Sequence, residues 1–329
     1  MHTIQFPIDL VYLWCDGDDP LFQQRKSQRF KEIHPDFCEE IHGAKRYKQH
    51  NELKYSLRSA YKNLPWINHI FIITDRQIPS WLQYPPPPKI SIVDHSEIIP
   101  KSLLPTFNST TIEMYLDKIP NLSEHFIYSN DDMFFYRALS PEDFFSANGQ
   151  PIVWLSSPAK MDIKRARSIL NDPNRSDWGK ALINAWIAFH EKRHLDIPYY
   201  VPAHTVDALS KKILQQIFID YPNLRKINSS PFRSGNRIHR LLFSYEMIST
   251  YGCKIQLRKK TNFIFRLIAS ILPLTNYVAV SRENLNKLKR DLKLFHPKTF
   301  CMNNISEADE SNSVEFLNSL WPSPAPWEK

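Results

Sequence analysis

HFIYSNDDMF, residues 125–134, decides the architecture. Its opening, His125–Ser129, is a short run of aromatic and aliphatic residues, the pattern of a buried strand. It runs straight into Asn130, Asp131 and Asp132, a polar turn. Three upstream segments repeat this arrangement. Pro7–Trp14 (PIDLVYLW) leads into Cys15 and Asp16, His69–Thr74 (HIFIIT) into Asp75, and Lys89–Val93 (KISIV) into Asp94. Between the first two lies a helical stripe from Asn51, with Leu53, Leu57, Ala60, Tyr61 and Leu64 on one side and Pro65 as its stop. Ser109–Ile119 reads as a further helix. Strands alternating with helices predict an α/β fold with a Rossmann-like, mostly parallel sheet. Ligands of such sheets lie beyond the C-terminal strand ends, so Asp16, Asp75, Asp94, Asp131 and Asp132 are expected to share one binding rim.

Beyond residue 150 the pattern becomes helical, with candidates at Trp178–His194, Val206–Phe218 and Ile238–Tyr251. The expected division is a Rossmann-like, ligand-binding portion over 1–150 and a helical portion over 151–329 that completes the site, with one continuous domain as the alternative. Residues 21–50 are polar and show no clear pattern. The last stretch, WPSPAPW at 321–327, is expected to lie extended on the body.

Composition narrows the chemistry. Six glycines, widely separated in 329 residues, exclude a Walker A loop, a dinucleotide fingerprint and a kinase-type glycine loop. Any bound phosphate is therefore held by side chains, helix ends or metal. The four cysteines lack C-x-x-C spacing and make neither a zinc site nor a disulfide scaffold. HEKRH at 190–194 has the zincin spacing, but Pro198 follows closely and no third ligand completes it. MHTIQFPIDL has no basic region followed by a long apolar one, so the expected compartment is the cytoplasm.

The chain carries a net charge of +8, and residues 254–293, with ten basic residues and two acids, account for all of it. This segment is either a solvated face or a surface for a polyanion such as acidic glycan, anionic lipid or nucleic acid. Within it, residues 262–280 are apolar but interrupted by Arg266 and Pro273, which favours a buried or membrane-surface segment over a span. Asn130-Asp131-Asp132 is the most suggestive acid cluster, since adjacent carboxylates can hold Mg²⁺ or Mn²⁺ on a diphosphate. His204 and Arg233 are unremarkable taken alone.

Taken together, several segments resemble the Stealth family. IDLVYLWCDGDDP (8–20) is similar to the family's opening block, Asn51–Leu82 to its second, and LPTFNSTTIE with HFIYSNDDMF to its continuation. His204 matches the histidine of the third block, Phe232-Arg233-Ser234 its arginine motif, and KTFCMNN (298–304) with WPSPAPWE its last. This sequence departs from the pattern at Asp16, where asparagine is usual, at Gly235-Asn236-Arg237, in place of a proline and two acids, and at Asn304, in place of aspartate.

The resemblance implies a bacterial capsule enzyme that transfers a hexose- or N-acetylhexosamine-1-phosphate from a UDP-sugar to an acceptor sugar hydroxyl, with release of UMP. It implies Asp131 and Asp132 as ligands of Mg²⁺ or Mn²⁺, and His204 as general base with Arg233, Asp132 and Asp9 as further catalytic groups. Arg58, Asn51, Glu52, Glu113, Asn130 and Trp14 are implied to bind substrate. The implied partners are a UDP-sugar, a growing anionic glycan, and the inner-membrane surface or a capsule-assembly complex, rather than nucleic acid. A metal-dependent glycosyltransferase that releases UDP, and a non-enzymatic basic protein binding glycan or membrane, are the competing readings.

Overall fold

A computed structural model describes residues 4–33, 50–156, 158–258, 279–281, 284–302 and 310–329, with main chain alone at 279–281 and 310. The basic segment therefore lies largely outside the described residues, as do residues 262–278, Cys38 and Asn304.

The central sheet has the order β3 (Ile90–Asp94), β2 (Ile70–Thr74), β1 (Ile8–Leu13), β4 (His125–Asn130), β7 (Asp207–Ser210). Strand β1 pairs in parallel with β2 and with β4, and β2 in turn pairs with β3. All six residues of β1 are buried because the sheet is covered on both faces. Side chains alternate between the two covers. Val11, Leu13, Phe71, Ile73, Phe126 and Tyr128 face a core that includes Trp186 and Phe189 of the Asp177–Arg193 helix. Leu10, Tyr12, Ile72 and Ile127 face Leu53 and Leu57 of the Glu52–Asn63 helix, and Trp327.

The four parallel strands were legible to within a residue or two. Elsewhere the structure corrects the expected helices. Val206–Phe218 is not one helix: β7 (Asp207–Ser210) pairs antiparallel with β4, from Tyr128↔Asp207 to His125↔Ser210, and the helix starts at Lys211. Ala208 and Leu209 serve opposite cores, a period-two pattern that outweighs the helical stripe downstream. The Ser210 hydroxyl then caps the helix, accepting from Ile213 N at 3.2 Å. Ser109–Ile119 splits into an α-turn at Ser109–Glu113 and a 3₁₀ turn at Leu116–Lys118, tightened by Tyr115 N donating to Ile112 O at 2.9 Å. Pro20–Ile33, patternless in sequence, is a helix that buries only Phe22 and Phe30.

Two smaller sheets complete the fold. Strand β5 (Met133–Phe135) leaves the acid turn and pairs antiparallel with β10 (Thr299–Cys301), which pairs in parallel with β9 (Ala279–Ser281). Strands β6 (Val153–Ser156) and β8 (Ile255–Arg258) pair in parallel. The segment from Trp321 is buried at Trp321, Ala325 and Trp327, and it hydrogen-bonds along residues 81–83: Gln83 N donates to Trp327 O at 2.9 Å.

Candidate active site

The strand order reverses between β1 and β4, and such a switch point opens a crevice beyond the C-terminal strand ends. Asn130, Asp131 and Asp132 follow β4 at that point. Next to them is a cavity of about 180 Å³ lined by residues from six parts of the chain.

One wall is built by the arginine motif. Phe232 stacks on Phe107 at 5.5 Å between ring centroids and meets Phe30 edge-on at 5.4 Å. Pro231 O accepts from Phe107 N at 2.8 Å, Ser230 O from Asn108 Nδ2 at 2.9 Å, and Asn228 O from Thr111 Oγ1 at 2.6 Å. The LPTFNSTTIE segment is thus a clamp for the loop at 228–233. Asn108 also caps the Ser109–Glu113 turn, accepting from Thr110 N at 3.1 Å. Arg233, held this way, is exposed at the cavity wall and donates to Ser109 Oγ at 2.6 Å.

The floor is a charge network. Arg240 donates to Glu113 Oε1 and to Asp207 Oδ2, both at 2.8 Å, and lies over the Tyr128 ring. The Tyr128 hydroxyl donates between Glu113 Oε1 and Asn130 Oδ1, 3.1 Å from each. Arg240 is therefore neutralised by two carboxylates, whereas Arg233 and Arg237 add positive charge to the cavity wall. A cavity with this balance suits an anionic ligand. Two carboxylate oxygens, Glu113 Oε2 and Asp132 Oδ1, are shielded from solvent and make no hydrogen bond.

The surroundings of Asp132 disfavour its charge. Burial, and after it the charge of Asp131, push its carboxyl above the ordinary range. The Cys301 thiol donates to its other oxygen at 3.3 Å. A divalent cation would relieve both the repulsion and the unsatisfied oxygen. Among the described residues no group of three or more His, Cys, Asp or Glu could hold a metal ion. A pair of adjacent carboxylates such as Asp131 and Asp132 could serve a hard cation of the Mg²⁺ type, which takes one or two carboxylates and completes its shell with phosphate oxygens and water.

Two histidines line the opposite side. His204 has a left-handed backbone at φ 50°, a strained conformation of the kind that collects at functional sites. Burial first, then the guanidinium groups of Arg258 and Arg240, lower its pKa. It is therefore neutral at pH 7 and free to accept a proton. His239 is pushed well below the usual value, by burial and then by Arg240, Arg237 and Arg233. Its Nδ1 accepts from Leu241 N at 3.0 Å, so the neutral ring carries its proton on Nε2 and is a donor there.

The structure brings Glu113, Asn130, Asp132, His204 and Arg233 together, with Asp131 beside them. It does not bring in the others. Asp9 is fully buried near the opposite end of β1 and accepts from Asn68 Nδ2 at 2.8 Å and Ser123 N at 2.7 Å. Arg58 is paired with Glu328. Asn51 and Glu52 begin a helix outside the cavity wall, with Glu52 Oε2 accepting from His50 N at 2.6 Å. Trp14 is buried in the core. Asp75 is held by Arg25 at 3.0 Å, and Asp94 caps a short turn. His190 stacks on Trp186, and His194 leaves the helix in a left-handed conformation, so the two do not share a metal-binding face. Sequence reasoning missed Trp178, Arg237, His239, Arg240 and Cys301. Arg237 and His239 stand four and six residues from Arg233, the arginine expected to bind phosphate, which is the one signal that could have pointed to them.

Comparison with known proteins identifies the family. Residues 6–29 match Stealth protein CR1, conserved region 1, and residues 46–153 match Stealth protein CR2, conserved region 2. The capsular polysaccharide phosphotransferase cps1A of Actinobacillus pleuropneumoniae is 34% identical over 293 residues, covering 89% of this chain and 77% of its own. A capsular polysaccharide phosphotransferase of Actinobacillus suis is 31% identical over 96% of this chain and 83% of its own. LcbA of Neisseria meningitidis, of the same description, is 51% identical over a shorter stretch, 45% of this chain and 40% of its own. A galactosyltransferase structure, LgtC, aligns over 97% of this chain and 96% of its own at 9% identity, with a TM-score of 0.42 that is too low to carry weight. With the two Actinobacillus relatives matching along nearly the whole chain, this chain belongs to the Stealth family and is a transferase, a phosphotransferase of the polysaccharide type.

Proposed function

We propose that this enzyme transfers a hexose- or N-acetylhexosamine-1-phosphate from a UDP-sugar to a hydroxyl of an anionic glycan, making a phosphodiester and releasing UMP during capsule or cell-surface polysaccharide synthesis. The observation that carries the reading is one cavity lined by Asp132, Arg233 and neutral His204. It combines a carboxylate with a buried, unbonded oxygen, a guanidinium for phosphate and an imidazole able to take a proton. Membership in a family whose relatives are named capsular polysaccharide phosphotransferases supports it.

In this mechanism the acceptor oxygen attacks the β-phosphorus. An O–P bond forms as the bond from that phosphorus to the oxygen bridging to the α-phosphate breaks, and UMP leaves with the electron pair. His204 takes the proton of the attacking hydroxyl. Arg233 and Arg237 oppose the charge on the phosphate oxygens, where planar guanidinium forks suit the geometry. His239 donates from Nε2 and stays neutral among its cationic neighbours. Arg240, locked between Glu113 and Asp207, holds the floor in place. Asp131 and Asp132 would hold Mg²⁺ or Mn²⁺, which when bound neutralises diphosphate charge. Incubation with a panel of UDP-sugars and a capsular oligosaccharide, scored by the nucleotide released, tests the reading: UMP supports it.

The expected place of action is the cytoplasm and the inner-membrane surface. Among the described residues no helix is long and apolar enough to cross a membrane.

A further inference from the structure

All eight tryptophans lie in described segments, and Trp178 alone is exposed, at 38%. Its indole lines the cavity. Trp178 sits in the first turn of the Asp177–Arg193 helix, whose cap, Ser176 Oγ, accepts from Gly179 N at 3.2 Å. The arginine loop is tied to the same helix. Asn184 Nδ2 donates to Gly235 O at 2.9 Å and to Arg237 O at 3.0 Å, and His239 N donates to Ala181 O at 3.2 Å. Gly235 is packed so closely that a Cβ there would lie 2.9 Å from Asp177 Oδ1. The indole is therefore fixed relative to the phosphate-binding wall. Its centroid lies 5.5 Å from that of His204, with the planes tilted by 33°, and 6.4 Å from that of His239, which meets it edge-on.

An indole has no charge to offer a phosphate. What it offers is a large, rigid, apolar face with negative π density. A pyranose ring matches such a face: one side of the ring carries C–H groups, and the hydroxyls project around its edge. Stacking on Trp178 would leave those hydroxyls exposed beside the imidazole of His204. A residue serving only to fill the core would be covered, as the Trp186 side chain on the same helix is.

We propose that Trp178 is the platform on which the acceptor's terminal pyranose stacks, with an edge hydroxyl directed at His204. This inference rests on reading His204 as the base that serves the acceptor.

The experiment has a binding arm and a kinetic arm. Saturation-transfer NMR is recorded without donor on methyl glucopyranoside, methyl galactopyranoside and methyl N-acetylglucosaminide, with wild type, Trp178→Ala and Trp178→Phe. Transfer to ring C–H protons is expected in wild type, lost in Trp178→Ala and regained in Trp178→Phe. In turnover, Trp178→Ala raises the acceptor KM by about tenfold or more, which corresponds to about 1.4 kcal/mol, and the donor KM by less than about twofold. Unchanged melting temperatures show that both variants fold. Trp178-independent transfer, no transfer to any of the three glycosides, or a parallel rise in both KM values overturns the platform. Release of UDP with Trp178-dependent transfer intact overturns the phosphotransfer reading and leaves the platform standing.

Discussion

Arg58 grips Glu328, 270 positions further along the chain, through two hydrogen bonds of 2.7 Å from its Nε and Nη2. Its third nitrogen donates to Trp321 O at 2.8 Å. Both side chains are buried, at 8% and 2% exposure. The arginine that resemblance assigns to phosphate thus fastens the Trp321–Glu328 segment over the Glu52–Asn63 helix.

Breaking a buried pair leaves one charge unpaired. Arg58→Ala or Glu328→Gln should therefore cost roughly 3–5 kcal/mol of stability, read by chemical denaturation. Burial opposes ionisation of Glu328, but the hydrogen bonds from Arg58 and from Ala325 N outweigh it and lower its pKa. A depressed carboxyl contributes stability above its unfolded pKa, about 4.3, and loses it as pH falls through the folded value. The deficit of Glu328→Gln should be full at pH 7 and shrink below pH 4.

For Asp132 the sign is opposite. Its carboxyl is raised, so ionising it in the fold costs stability as pH climbs from the ordinary aspartate value through the raised one. Without metal, Asp132→Asn should melt higher than wild type at pH 7. Mg²⁺ or Mn²⁺ should raise the melting temperature of wild type and leave Asp132→Asn unmoved. The variant should also lose on the order of 10²-fold or more in turnover.

His204 should set the acid limb of kcat/KM. Its lowered pKa keeps the base form present below pH 6.5, so activity should persist there and fall only at lower pH. His204→Ala should lower kcat strongly with little change in donor affinity, and should remove that limb.

Lys287, Arg290 and Lys293 are exposed on the Leu285–Phe295 helix, in the basic stretch. Charge-neutral replacements should weaken the use of long anionic acceptors more than short ones. The effect should fade in high salt, since exposed charges are screened over about 10 Å at 0.1 M.

Much of the sheet was legible because a two-faced parallel strand is a near-continuous apolar run, as Leu10–Leu13 is, and because the turn after each strand is polar. β7 was not, because four residues joined to a helical stripe carry too little pattern of their own. Asp131 and Asp132 stood out as adjacent carboxylates at a strand end, whereas His204 and Arg233 stood out only through resemblance to family blocks. Arg240 did not, since its role depends on Glu113 and Asp207, which only folding brings near. Arg58 misled for the same reason: its partner, Glu328, lies at the far end of the sequence.

The nucleotide released on transfer tests the central claim most directly. Ion-exchange chromatography after incubation with a UDP-sugar and acceptor separates the two outcomes. Attack at the β-phosphorus predicts one UMP per glycosyl phosphate transferred and a phosphodiester signal in the phosphorus spectrum of the product. Stoichiometric UDP with a phosphate-free product would contradict it.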